Sequence, residues 1–348
     1  MSARLPRIGI TLGDVAGVGP ETVAGALATP EIRRICNPVV FGHPEIFRRA
    51  AKLVGVPVEL VEVDSPEELS VDAESAPCIN PSDDSLLSVP PGQVDARAGG
   101  AAYDSLIAAI RAAQNGTIDA IVTAPLNKLA LHRAGHDYPG HTEILKHECG
   151  VPECAMMLYL PPGEIVASPR GLGVAHVTLH TSLASVPSLL SAAAVSDTTR
   201  LIDRFMRRVG CESPRIGVCA LNPHAGEGGL FGDEESRVIA PAVETCRKEA
   251  IQAAGPFPAD TLLKRAVEGE FDGVCAMYHD QGHIALKLLA FHRAVNVTLG
   301  LPIIRTSPTQ GTAFDIAWQG KADPTGMIEA IRVAVQLAEG RMTGEPGT

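Results

Sequence analysis

A chain of 348 residues with 45% hydrophobic and 20% charged residues can bury a core of its own, which excludes a disordered or disulfide-stapled chain and suits two packed lobes. The formal net charge of −11 argues against binding along a nucleic-acid backbone, while leaving room for a local basic pocket that holds one small anion. No run of about 18 apolar residues occurs, the opening MSARLPRIGITLGD lacks the apolar stretch of a secretory signal, and the eight cysteines form no CxxC pair. A cytoplasmic protein with reduced thiols and no membrane span is expected.

In chain order, RIGITL (7–12) reads as a buried strand, and TLGDVAGVGPE (11–21) as a glycine turn that opens a helix at Pro20. That turn lacks the GxGxxG order of a Rossmann site, yet it has the form of an anion cradle at a helix N-terminus. PVVFG (38–42) and VPVELVEV (56–63) read as further strands, and the Pro-, Ser- and Asp-rich stretch 64–95 as a surface excursion. A helix is predicted over 96–115, a strand over DAIVTA (119–124), another over RIGVCAL (215–221), a helix over 233–252 with Asp233, Glu234 and Glu235 at its start, and a strand over DGVCAMY (272–278). This alternation is that of an α/β protein with a largely parallel sheet, in which ligands sit beyond the carboxyl ends of strands.

Three histidines fall at such places: His180 in VTLHTSL, His224 in LNPHAGEGG and His279 in MYHDQGH. Imidazoles from separate strand-end loops can converge on one divalent ion, although a single histidine is more often packed or solvent-facing than a ligand. The glycines of NPHAGEGGLFGDEE permit left-handed backbone and close approach to a ligand, and serve equally as turn residues before a helix. Lys128, His141, Thr142, Lys287, Asn296 and Arg305 form a cationic and hydroxyl-bearing group in Gly- and Pro-punctuated loops, which suits a pocket for a small anion.

Taken in order, TLGDVAGVGPE, TAPLNK, PGHTE, LNPHAGEGGLFGDEE, GPFPADT, MYHDQGH and VNVTLGLPIIRTSPTQGTAFDIA resemble the 4-hydroxythreonine-4-phosphate dehydrogenase family from Ile8 to about Gly340. The resemblance implies a two-lobed α/β fold like that of isocitrate and isopropylmalate dehydrogenases, with the active site in the cleft between lobes, and a homodimer sharing that site. Residues 1–125 with 300–348 would form the outer, cofactor-side lobe. Residues 126–299 would form the central lobe, carrying the metal and substrate residues and the dimer contacts, with crossings near Pro125 and Gly300.

By the same resemblance His180, His224 and His279 match the metal ligands, one of them supplied by the partner subunit, and the ion is zinc, magnesium, cobalt or manganese. His141, Thr142, Asp260, Lys287, Asn296 and Arg305 match substrate contacts. RTSPTQGTAFDIA looks like an adenine-side loop, which places NAD or NADP beside Gln310, Gly311 and Thr312. Two departures stand out: Thr309 and Gln310 replace a usual Asp-His, and Val15 replaces a usual Pro.

The implied reaction is metal-dependent oxidation of a small phosphorylated hydroxy acid by NAD(P), followed by decarboxylation. The first candidate converts 4-hydroxy-L-threonine 4-phosphate to 3-amino-2-oxopropyl phosphate. Lys287 and Asp280 are both candidates for the proton transfer, and Asp280 is equally a partner that orients His279. Alternatives are a paralogue acting on threonate or erythronate 4-phosphate or on a cis-dihydrodiol carboxylate. From other classes, a phosphate acyltransferase would need no metal, and a sugar-phosphate binding protein would reduce no nicotinamide.

Overall fold

The computed structural model describes residues 4–64 and 75–342. The chain packs as two compact units, Met1–Pro152 with Leu301–Thr348 and Glu153–Gly300. The chain therefore passes into the second unit at Pro152–Glu153, later than the crossing expected near Pro125. The segments after Pro125 pack on their own N-terminal neighbours: a Cβ at Gly99 would collide with the backbone of Ala130, so that glycine lets two helices of the first unit touch.

The first unit begins with β1 (Arg7–Thr11), α1 (Gly19–Leu27), α2 (Pro30–Ile35), β2 (Asn37–Phe41), α3 (Pro44–Val54), β3 (Glu59–Glu62) and β4 (Ser75–Ile79). It continues through α4 (Ala96–Gln114), β5 (Ala120–Thr123), α5 (Lys128–Arg133) and α6 (His141–Glu148). In the second unit follow β6 (Ala155–Leu160), β7 (Leu172–His176), α7 (Val186–Leu189), α8 (Ala192–Arg208), β8 (Arg215–Cys219), α9 (Ala240–Lys248), β9 (Gln252–Phe257), α10 (Ala259–Val267), β10 (Gly273–Ala276), α11 (His279–Ala290) and β11 (Val295–Leu299). The chain then returns to the first unit with β12 (Arg305–Pro308) and α12 (Thr325–Met342).

The first unit's strands run in the order β3-β4-β2-β1-β5-β12, every pairing parallel. Helices cover both faces, so β5 is buried at all its residues and reads as an unbroken apolar run. Its core gathers Phe41, Leu106, Ile110, Ile121, Leu131 and Ile144. Helix α4 supplies much of it, starting where the Asp95 carboxylate accepts the Arg97 N–H at 2.9 Å.

The second unit's order is β11-β6-β7-β10-β8-β9. Here β7, β10, β8 and β9 are parallel, while β6 runs antiparallel to both β7 and β11. Leu158, Val174, Leu262, Phe271, Val274 and Leu286 lie at its core.

Two expected elements are corrected. Part of the excursion proposed over 64–95, residues 65–74, lies outside the described residues, and Ser75–Ile79 is a strand with a buried middle, paired to β2 and β3. Its Pro77 and flanking serine gave it the look of a loop. The helix expected over 233–252 is a wide π turn over Glu235–Ile239 running into α9, which ends at Lys248. Pro241 lacks the N–H that a regular helix needs there, and Ala250 takes a left-handed φ of 63° as the chain turns into β9.

Candidate functional site

Strands β7, β10 and β8 are neighbours and parallel, so their carboxyl ends open on one edge of the second unit's sheet. The three histidines leave from those ends: His180 past β7, His279 as the first residue of α11 past β10, and His224 past β8. The structure brings two of them together, with the His180 and His279 rings 6.0 Å apart. Nδ1 of His279 lies 2.6 Å from Oδ1 of Asp280, so a neutral His279 donates there and keeps its Nε2 lone pair for a Lewis acid. Among the described residues, no group of three or more His, Cys, Asp or Glu side chains is assembled as a metal site, and the ring neighbour of His224 is Phe231 at 6.3 Å. The donor chemistry of His180 and the carboxylate-backed His279 fits a divalent ion of borderline softness, with coordination still to be completed.

His224 sits in a rare backbone. Residues His224, Ala225, Gly226, Glu227 and Gly228 all have positive φ, from 43° to 77°. For the three that are not glycine this costs about 1–2 kcal/mol each, and such strain persists only where the surroundings impose it. Glu235 is one source of that constraint. Its Oε1 accepts the N–H groups of Leu221 (2.9 Å) and Asn222 (2.8 Å), and its Oε2 accepts Asn222 Nδ2 (3.0 Å), which Glu234 also holds at 2.7 Å. Burial pushes the Glu235 carboxyl up, but these bonds outweigh it and leave it below the usual range. Of the three acidic residues expected to complement a helix dipole, Glu234 and Glu235 thus brace the loop instead, while Asp233 pairs with Arg237 Nε at 3.3 Å. Gln281 adds a tie, accepting Met277 N–H at 2.7 Å and donating to Ala220 O at 2.8 Å, which joins the end of β8 to the start of α11.

Two further histidines, absent from the sequence expectations, lie behind His279. His283, one helical turn on, stacks on it at 3.8 Å with 12° between rings, and its Nδ1 is 3.1 Å from Nε2 of His176 at the end of β7. Burial drives His176 down to about 3, and burial with the neighbouring His279 drives His283 down to about 4. Both are neutral near pH 7, so one donates and the other accepts. The i, i+4 spacing of the two histidines in HDQGH was the available signal.

Of the expected substrate contacts in this unit, Lys287 is half-buried on α11, its Nζ 5.9 Å from the Phe291 ring centroid. Asn296 in β11 has its Oδ1 buried without a hydrogen bond. Asp260, at the start of α10, accepts the Thr261 N–H at 2.9 Å on the rim of an apolar groove of about 390 Å³ walled by Leu172, Leu263, Leu288 and Leu289.

In the first unit, Arg305 is 2% exposed at the start of β12. Its Nε and Nη2 donate to Thr123 Oγ1 on the adjacent β5 at 3.2 and 2.7 Å. Burial lowers it to about 10, with Glu143 opposing, so it stays cationic at neutral pH. His141 opens α6, with Thr142 beside it, and burial followed by the Arg305 charge holds its pKa well below the usual value. A half-buried imidazole held toward its neutral form and a buried guanidinium therefore share one electrostatic neighbourhood, and the guanidinium is a donor suited to a phosphate or carboxylate.

The glycine turn 11–21 does not form the expected open anion cradle: residues 11–20 are all buried. Val18 N–H is used on Thr312 O at 3.0 Å, and a Cβ at Gly17 would come within 2.7 Å of that same oxygen. The Glu21 carboxylate holds Trp318 N–H (2.6 Å) and Gly320 N–H (2.8 Å). The turn is thus the floor under the Gln310–Thr312 segment, in which Gly311 is exposed and Gln310 half-buried. Lys128, at the start of α5, is exposed.

Residues 34–334 match the family model described as "Pyridoxal phosphate biosynthetic protein PdxA". The chain is 45% identical over 344 residues to D-threonate 4-phosphate dehydrogenase of Cupriavidus necator, covering 98% of this chain and 100% of that protein. It is 44% identical over 339 residues to 4-hydroxythreonine-4-phosphate dehydrogenase of Geobacter metallireducens, covering 97% of each. The crystal structure of 4-hydroxythreonine-4-phosphate dehydrogenase from Klebsiella pneumoniae aligns with a TM-score of 0.83 at 43% identity, over 96% of this chain and 99% of that one.

Proposed function

We infer that this chain, which belongs to the pyridoxal phosphate biosynthetic protein PdxA family, is an NAD(P)-dependent dehydrogenase that oxidises and decarboxylates a phosphorylated four-carbon hydroxy acid with the help of a divalent ion. The observation carrying the reading is the His180–His279 pair at the carboxyl ends of adjacent parallel strands, with Asp280 on Nδ1 of His279. His180, His279 and His224 would hold the ion, with one of the three coming from the partner subunit. Bound there, it would supply Lewis acidity to the substrate hydroxyl and to the carbonyl that replaces it.

The residues of the chain account for the remaining work. His141, Thr142 and Arg305 bind the anionic end of the substrate, and Asp260, Lys287 and Asn296 contact its hydroxyl and carboxylate portion. The oxidised carbon loses hydride to the nicotinamide and its hydroxyl loses a proton, giving a β-keto acid. That acid loses carbon dioxide, and the carbanion equivalent takes up one proton. Lys287 is the residue best suited to move these protons, because Asp280 is already engaged by His279. Gln310, Gly311 and Thr312 form the nucleotide-side contacts.

A homodimer follows from the same reading, and α11 bears the surface for it. Ile284, Leu288 and Phe291 recur at helical spacing and are exposed, Leu288 by 82%. No helix among the described residues is long and apolar enough to cross a membrane.

Two substrates fit, 4-hydroxy-L-threonine 4-phosphate and D-threonate 4-phosphate, and identities of 44% and 45% to their dehydrogenases do not separate them. Absorbance of reduced nicotinamide with each substrate and with NAD or NADP tests the reading. Reduction with one of them supports it and selects the branch. No reduction with either, by protein that binds both metal and nucleotide, would contradict it.

A further inference from the structure

Behind the proposed ligand pair stands a column of imidazoles that the reaction itself does not use. His283 lies flat against His279, their centroids 3.8 Å apart. It is tied by its Nδ1 to Nε2 of His176 at 3.1 Å, and both His176 and His283 are almost fully buried, at 2% and 5% exposure. The approach is close by construction. Gly282 precedes His283, and a Cβ there would stand 2.7 Å from Cγ1 of Val174 and 2.5 Å from Nε2 of His176, so only glycine lets α11 settle onto β7 at this point. The same strand leads on to His180.

We propose that His283, anchored by His176, is a positioning residue that fixes the plane of the His279 imidazole against His180, so that metal affinity depends on it. This rests on the proposed metal-binding reading of His180 and His279. The Asp280 bond holds one edge of the His279 ring, and the face-to-face stack on His283 limits the tilt of its plane. Groups that orient a metal ligand without touching the ion commonly account for 10–100-fold of affinity.

The test is calorimetric titration of chelator-treated, full-length protein with zinc, and with cobalt to read the visible ligand-field bands, in wild type, His279→Ala, His283→Leu and His283→Phe. His283→Leu is predicted to weaken zinc binding at least 10-fold and to shift the cobalt bands, while the metal-free protein, melting below wild type because His176 Nε2 loses its partner, stays fully folded at the titration temperature. His283→Phe, which retains a flat ring but not the bond to His176, should recover part of the affinity and fall short of wild type. If His279→Ala loses the metal while His283→Leu binds as tightly as wild type with an unchanged cobalt spectrum, the positioning role is overturned and the metal reading stands. If wild type itself binds no metal, or His279→Ala binds as wild type does, both fall.

Discussion

The guanidinium of Arg305 is held by the hydroxyl of Thr123 on the neighbouring strand, Nη2 at 2.7 Å and Nε at 3.2 Å. One oxygen thus orients two of the donors of a buried cation. Thr123→Val keeps the shape and removes this acceptor, so the guanidinium keeps its charge and loses the hold on its Nε and Nη2. We predict a rise of roughly tenfold in KM for the phosphorylated substrate with kcat changed less than threefold, the pattern of lost uniform binding. Steady-state kinetics checks it, and an unchanged KM would show that Thr123 does not orient the anion contact.

Glu235 braces the left-handed loop of His224 through two backbone N–H groups and the Asn222 amide. Glu235→Ala should lower stability by about 2 kcal/mol, the usual penalty for half-buried donors left without a partner, and should lower metal affinity as well. Glu235→Gln, which keeps an acceptor, should lose less. The wild-type carboxyl titrates below its unfolded value, so its contribution is present above that value and fades as pH falls through the folded one. Denaturant unfolding at pH 7 and pH 3.5 should therefore show the gap between wild type and Glu235→Gln narrowing at the lower pH.

Asp14 gives the opposite sign. It is fully buried past the end of β1, Oδ1 accepts the Ala16 N–H at 2.9 Å, and Oδ2 has no hydrogen bond. Burial raises its pKa from 3.8 to about 6. A raised folded value favours the native state below the unfolded pKa, and that advantage is lost as pH rises through about 6. Asp14→Asn should thus stabilise the protein at pH 7.5, by up to about 3 kcal/mol from the size of the shift, and the gain should vanish near pH 4. Melting temperatures across that range decide it, and a gain independent of pH would exclude titration of Asp14 as its source.

Leu288 on the exposed stripe of α11 is the most direct probe of self-association. Leu288→Glu should convert a dimer to a monomer in light scattering and reduce activity, because the proposed ion takes a ligand from each subunit. A dimeric variant would move the interface elsewhere.

The strand-end histidines were legible because an apolar run such as RIGVCAL or DGVCAMY ends abruptly and a histidine follows within a few residues. What the linear pattern hid is long-range or set by tertiary contacts. Pro77 disguised β4, and AMMLYL at 155–160 is a run that length and periodicity alone do not separate from a buried helix. The glycines of NPHAGEGG announce a loop, but positive φ at His224, Ala225 and Glu227 is imposed by the fold and cannot be read from those residue types. His176 and His283 meet across 107 positions of sequence, so only the HDQGH half of their pairing was visible. The turn 11–21 looked like an anion cradle because its glycines serve close packing, Gly13 against Pro125, Gly17 against Thr312 and Gly19 against Leu12, which has the same signature.

The most direct test of the central claim is the rate of nicotinamide reduction with the preferred substrate before chelation, after removal of metal, and after zinc, cobalt, manganese or magnesium is restored. The account predicts loss of at least a hundredfold on chelation and recovery with one or more of these ions, and no recovery in His279→Ala. Full activity in protein shown to be metal-free would contradict it.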